Sequence, residues 1–322
     1  MRGRATRRSA LTDTTIWPAI PYAPWHDTCA ALHLYAQIVG KYRLAHSPWV
    51  NHSWHATLYV DADGLTTGLV PDGPGITVRF DLRRHRVTAS CASGQSAQFP
   101  LAPMSVAQFD ARFKDMIATL GGLPDYHGQP NELAHATPFA HDTAPRPWDA
   151  EAVSRFHTAL TRIEPVFARF RTGFIGKVSP VHLFWGSFDL AVTRFSGRAA
   201  PPHPGGIPNL PDAITREAYS HEVSSAGFWP GGGGIEEPCF YSYAYPVPAG
   251  FAEQGVAPAA ARFDQGLGEF VLPYEAVRTA ADPEATLLQF LQGTFDAAAR
   301  LGGWDEGLAR PLGLKGRPLP NA

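Results

Sequence analysis

Apolar residues recur at helical spacing in several stretches of the chain. Leu32, Tyr35, Ala36 and Val39 fall three and four apart and predict a helix over about residues 27–41, with His33 beside its apolar stripe. Val106, Phe109, Phe113, Ile117 and Leu120 make a second stripe. Ser105 and Gln108 open it as a capping box, and Gly121-Gly122 closes it. Asp149 caps a third helix, whose Val153, Phe156, Leu160, Ile163, Phe167 and Phe170 share one side. Asp282-Pro283 starts a last helix that Gly302-Gly303 stops.

Elsewhere the pattern alternates with a period of two. Runs at 53–60, 65–70, 76–82, 87–91 and 95–101 are separated by turns such as Asp61-Ala62-Asp63-Gly64 and Asp72-Gly73-Pro74-Gly75. Such regular spacing predicts an antiparallel meander. In the second half, residues 179–198 read as a buried strand or strand pair carrying His182, Trp185, Asp189 and Arg194. A strand over 237–245 puts Tyr241, Tyr243 and Tyr245 on one face. Short strands near 256–263 and 269–272 follow. Residues 199–235 are rich in proline and glycine yet hold Tyr219-Ser220-His221-Glu222 and Phe228-Trp229, which predicts an ordered covering loop.

The halves can be laid over each other. Each has a Pro-Trp pair before a helix, a Gly-Lys pair, a Ser-Pro pair and then a histidine, His52 or His182. Each closes with a phenylalanine eleven residues before Leu-Gly-Gly, at Phe109 and Phe290. The expected fold class is α+β: two tandem helix–antiparallel meander–helix units related by internal duplication and packed about a pseudo-twofold axis. The boundaries are a basic tail at 1–16, a first repeat at 17–123, a linker at 124–146, a second repeat at 147–304 and a loose tail at 305–322. A ligand cleft is expected at the axis, since pockets favour domain interfaces.

Composition narrows the function. A net charge of −2 gives no footprint for nucleic acid or an anionic membrane. No run approaches the length of a transmembrane helix. Three scattered cysteines without a CxxC pair argue against a disulfide framework or a zinc–thiolate site, and fit a reducing cytoplasm.

Thirteen histidines supply candidate chemistry. His52 and His55 lie three apart, and His221-Glu222 sits in the covering loop. With His182 they offer ligands of the kind zinc or iron takes, although His221-Glu222 lacks the second histidine of a His-Glu-x-x-His helix. The competing reading makes these histidines hydrogen-bonded core residues. Asp189 and Arg194 either pair in the core, or Arg194 and Arg198 hold a substrate carboxylate or phosphate. Tyr241 and Tyr243 are a pocket wall or a half-buried sheet face. There is no phosphate loop, dinucleotide fingerprint or nucleophile elbow.

The 179–198 stretch resembles a bacterial family known only as domain of unknown function 5996. So do Tyr219-Ser220-His221-Glu222, Phe228-Trp229-Pro230 with its four glycines, and Leu32 to Lys41. The resemblance spans Trp17 to about Trp304 and implies no reaction, cofactor or catalytic residue. The residues themselves lead to an enzyme acting on a small polar, anionic-leaning molecule between the repeats. His182, His221 and Glu222 would be its catalytic groups, Arg194 its anchor, and Trp185, Trp229, Tyr241 and Tyr243 its substrate contacts. The alternative is a non-catalytic small-molecule sensor or carrier with an aromatic pocket.

Overall fold

A computed structural model describes residues 16–310. The expected basic tail at 1–16, apart from Ile16, lies outside the described residues. The chain opens with helix α1 (Tyr22–His46), longer at both ends than its apolar stripe. Five strands follow: β1 (Tyr59–Val60), β2 (Gly64–Val70), β3 (Ile76–Asp81), β4 (Arg86–Cys91) and β5 (Ser96–Pro100). They form an antiparallel sheet in chain order, the expected meander. The first run is shorter than its alternation predicts. His52 and Ser53 take positive φ values of 60° and 57°, and Asn51–Ser53 is a single 3₁₀ turn rather than extended chain.

Helix α2 (Val106–Thr119) closes the first half with the Ser105–Gln108 capping box in place. Its Phe109 packs on Phe80 and Phe99 of the sheet and stacks on Tyr35 of α1 at 4.2 Å. Helix α3 (Ala150–Arg171) begins at its Asp149 cap. Its Phe156 meets Trp25 of α1 at 5.2 Å, joining the two halves through apolar rings.

The second sheet has six strands: β6 (His182–Phe184), β7 (Asp189–Ala199), β8 (His221–Trp229), β9 (Cys239–Tyr245), β10 (Arg262–Asp264) and β11 (Glu269–Pro273). Their spatial order is β10-β11-β9-β8-β7-β6, antiparallel throughout. The expected covering loop at 199–235 therefore needs correction, because β8 lies within it and runs through the middle of the sheet. Its Ser224-Ser225-Ala226-Gly227 has loop-like composition, but these small side chains sit between two long neighbouring strands. Residues 200–220 and 230–235 loop out on either side of β8, and the first of these carries the short helix α4 (Asp212–Ala218). The strand expected over 256–263 shrinks to β10.

Helix α5 (Tyr274–Arg278) follows β11, and α6 (Pro283–Leu301) starts at the Asp282 cap. One face of the second sheet packs on α3 and α6, as Phe240 against Phe167 illustrates. The segment after Trp304 is not loose where it is described. Ile175 N–H donates to the Leu308 carbonyl at 2.9 Å, and Arg310 N–H donates to that of Gly173 at 2.9 Å. The two sheets touch edge to edge at Leu58 and Leu183, which exchange backbone hydrogen bonds of 2.9 and 2.7 Å. The fold is thus mixed α+β, with two helix-flanked antiparallel sheets. No helix among the described residues is long and apolar enough to cross a membrane.

Candidate functional site

Successive side chains of a strand point to opposite faces. On the face away from α3 and α6, β7 presents Asp189, Ala191, Thr193 and Phe195. β8 adds Ser225 and Trp229, β9 adds Tyr241 and Tyr243, and β11 adds Glu269. These side chains floor a cavity of about 800 Å³. The register sets Thr193, Ser225 and Tyr243 abreast, and the two hydroxyls of Thr193 and Ser225 lie 2.8 Å apart. Gly227 stands beside Tyr241, and any Cβ at Gly227 would collide with the tyrosine ring. The missing side chain lets Tyr241 reach over β8, where its hydroxyl donates to Asp189 on β7. The Tyr241 ring lies between those of Trp229 at 4.3 Å and Tyr243 at 6.1 Å. The roof comes from the first half and from loops: Lys41 and Leu44 of α1, Trp49, Trp54, and Asn131-Glu132 of the linker.

Three carboxyl groups face this cavity. Asp189 is 4% exposed and accepts from Ser187 Oγ at 2.5 Å as well as from Tyr241. Burial lifts it above the usual carboxylate range, against the pull of those two donors. Burial and the charge of Asp189 push Glu132 up to about 7, and Lys41 opposes the shift. Glu269 rises to about 8 from burial, with Asp189 and Asp264 adding to it. One Glu269 oxygen, Oε2, is buried without a hydrogen-bond partner among the described residues. Desolvation brings the Lys41 ammonium down to about 8. The site therefore holds acidic and basic groups moved toward neutrality in a concave, aromatic setting, the usual signature of a functional cleft.

A polar row on α1 builds the roof. His33, Gln37 and Lys41 are four residues apart, so they stack along one side of the helix. His33 Nε2 bonds the Gly186 carbonyl at 2.8 Å. Gln37 grips Asn131 at both backbone groups, at 2.8 and 2.9 Å, and Lys41 donates to its side chain. Glu132 N–H donates to the Pro208 carbonyl at 2.9 Å, tying the linker to the 200–220 loop. Gly186 carries no Cβ that would strike the Glu132 carboxyl. Six non-glycine residues among those described have positive φ; His52, Ser53, Glu132 and Asn209 line the cavity, and Phe188 directly precedes Asp189. Strained backbone gathered at one cleft is what functional sites retain.

The sequence matches a family of unknown function, DUF5996, over residues 17–310. The chain belongs to this family. No curated protein matches it, and no solved structure matches it.

In this DUF5996 member the expected aromatic residues Trp185, Trp229, Tyr241 and Tyr243 all line the cavity, as does His52. The other expected residues scatter. His182 is fully buried, its Nδ1 lies 3.2 Å from the Thr57 hydroxyl, and burial lowers it to about 3. His55 Nδ1 is engaged with the Val50 backbone at 3.1 Å. His221 bonds Ser220 at 3.0 Å, and its ring is 6.3 Å from that of His52. Glu222 is bound by Arg198 at 2.7 Å and Ser196 at 2.8 Å. His52 has both ring nitrogens occupied, by the Ala218 carbonyl at 3.0 Å and Lys177 at 2.6 Å. Among the described residues, no group of three or more His, Cys, Asp or Glu is arranged to hold a metal ion.

Arg194 also departs from expectation. It projects from the opposite face of β7, onto the rings of Phe170 and Phe295 at 3.5 and 4.1 Å, and donates to the Phe170 carbonyl. It neither pairs with Asp189 nor reaches the cleft, because residues five apart on a strand face opposite ways. The sequence reading missed Glu132, Glu269 and Lys41. For Lys41 a signal existed in the polar row at 33, 37 and 41.

Proposed function

We propose that the protein is an enzyme that binds a small polar molecule in this cleft and moves a proton on it. Glu132 is the leading proton-transfer group. Its carboxyl is held at about 7, where acid and base forms are both populated. That single property carries the reading. Lys41 stands next to it, with its ammonium over the Trp185 ring at 5.5 Å. The aromatic walls bind the body of the substrate, and Asp189 orients the polar end through Tyr241 and Ser187. His182, His221 and Glu222 lie outside the cavity lining and bond Thr57, Ser220 and Arg198. Three free, buried cysteines suit a reducing cytoplasm. The edge contact at Leu58–Leu183, with a sheet and flanking helices on each side, supports descent from a duplicated unit.

The test compares wild type and Glu132→Gln on a mixture of small polar metabolites, read by mass spectrometry. We expect one compound to be consumed by wild type and at least about a hundredfold more slowly by a variant with unchanged Tm. Equal consumption by both would remove Glu132 from the chemistry. A second reading, a sensor or carrier, is favoured by the dispersed imidazoles over a largely aromatic cavity. It predicts a compound bound by both proteins and consumed by neither.

A further inference from the structure

The cleft is lined by more carboxyl than ammonium groups, and the imbalance bears on what it holds. This inference rests on the reading of the cavity as a ligand site. Asp189 has only neutral donors, Ser187 and Tyr241. Glu269 Oε2 is buried and unpartnered among the described residues, and the Glu132 side chain makes no hydrogen bond there. Against three carboxyls stands one ammonium in the cavity, Lys41, already engaged by Asn131. The only guanidinium on β7 near this height, Arg194, faces the other way. Lys177 is engaged with His52 at the rim.

The walls beside these acids are aromatic. Trp229, Tyr241 and Tyr243 stand in series, and Tyr219 Oη meets Tyr243 Oη at 2.8 Å. Glu269 lies next to this series, one position beyond the Phe270–Ser242 pair. Ring faces attract cations, and carboxylates bind them with charge-assisted hydrogen bonds. An anion would find Lys41 as its cationic partner and would oppose ionisation of the three acids. A neutral ligand would leave the buried acids either protonated or without a countercharge, and the latter is costly.

We propose that the cleft takes an organic ammonium compound, its cationic head against Asp189 and Glu269 beside the rings of Trp229, Tyr241 and Tyr243. Binding is coupled to proton release. In the free protein burial and the nearby Asp189 keep Glu269 up at about 8 and Glu132 at about 7, so both carry protons near neutrality. An arriving cation favours their ionised forms and expels those protons. Affinity therefore rises with pH. The surrounding groups act in the same direction or stay silent. Lys41, brought down to about 8, loses its competing charge as pH rises. Burial lowers His52, so any charge it gives up as pH rises acts in the same direction. His127 also lines the cavity. Tyr219, Tyr241 and Tyr243 are all pushed up and stay protonated. Asp264, behind Glu269, is a further negative neighbour.

The test is calorimetric titration of the full chain with choline, trimethylamine, 1,4-diaminobutane and agmatine. Each is matched to a neutral isostere, such as 3,3-dimethylbutanol for choline, and to a carboxylate of similar size. We expect at least one ammonium compound to bind in preference to its matched isostere. Its affinity should rise about tenfold or more between about pH 6 and about pH 8, with proton uptake by the buffer. Glu269→Gln, at unchanged Tm, should weaken it about tenfold or more and flatten the pH dependence. If the neutral or anionic partners bind and the ammonium compounds do not, the ligand class is wrong and the cleft reading stands. If no compound binds and tryptophan fluorescence does not change, the ammonium assignment fails and the ligand-site reading loses its support. Ammonium binding with no pH dependence would overturn the proton coupling.

Discussion

Gly227 decides how the floor of the cleft is built. With hydrogen as its side chain, it lets Tyr241 cross β8 and donate to Asp189. Gly227→Ala should expel the ring, remove a donor from a buried carboxyl and destabilise the protein by about 1–3 kcal/mol. Thermal unfolding measures the cost, and ligand titration should show the cleft weakened at the same time. A fully stable variant with unaltered binding would mean that Tyr241 does not organise the floor. Parts of this were legible in the sequence. Tyr241 and Tyr243 share a face by the period of two, and the same period sets Asp189 and Arg194 on opposite faces. Glu132 left no such trace. It lies in an irregular linker, where no periodicity says which side chains turn inward, and its positive φ of 60° accompanies bonds from Asn131 to Gln37 and from Glu132 to Pro208, both remote in the chain.

Strand β7 divides its labour between two faces. One floors the cleft, while the other carries Arg194 into the aromatic layer of α3 and α6, where burial brings the guanidinium down to about 9. Arg194→Met keeps most of the volume and apolar contact and removes two buried nitrogens without hydrogen-bond partners among the described residues, so the variant should unfold at a Tm no lower than wild type. It should leave ligand affinity in the cleft unchanged. Loss of binding at unchanged Tm, measured by titration and thermal unfolding, would return Arg194 to the site as an anchor. The helices were the most readable elements, because Ser105, Asp149 and Asp282 are local caps that act within their own first turn. β8 was the least readable. Its serines, alanine and glycine suit a central strand only because β7 and β9 bring bulk to either side, which is information held elsewhere in the chain.

For the whole molecule, the cleft draws on both halves: α1, the turn at 51–53, the linker, the 200–220 loop and five strands of the second sheet. The doubled pattern led to the expectation of a cleft between the halves. The chemistry of this cavity was not legible, since the expected histidines are held by separate partners, Ala218, Val50, Thr57 and Ser220 among them, and the carboxyls meet only in the folded chain. The central claim is that folding buries Glu132 and Glu269 around Asp189 and poises them near neutrality. Carbon-detected NMR titration of the glutamate side-chain carboxyls measures this directly, with Glu132→Gln and Glu269→Gln assigning the signals. The account predicts two carboxyls titrating far above the rest, near about 7 and about 8, each lost in its own variant. If every glutamate titrates in the ordinary carboxylate range near about 4.3, the cleft is not poised for proton transfer and the proposed function falls with it.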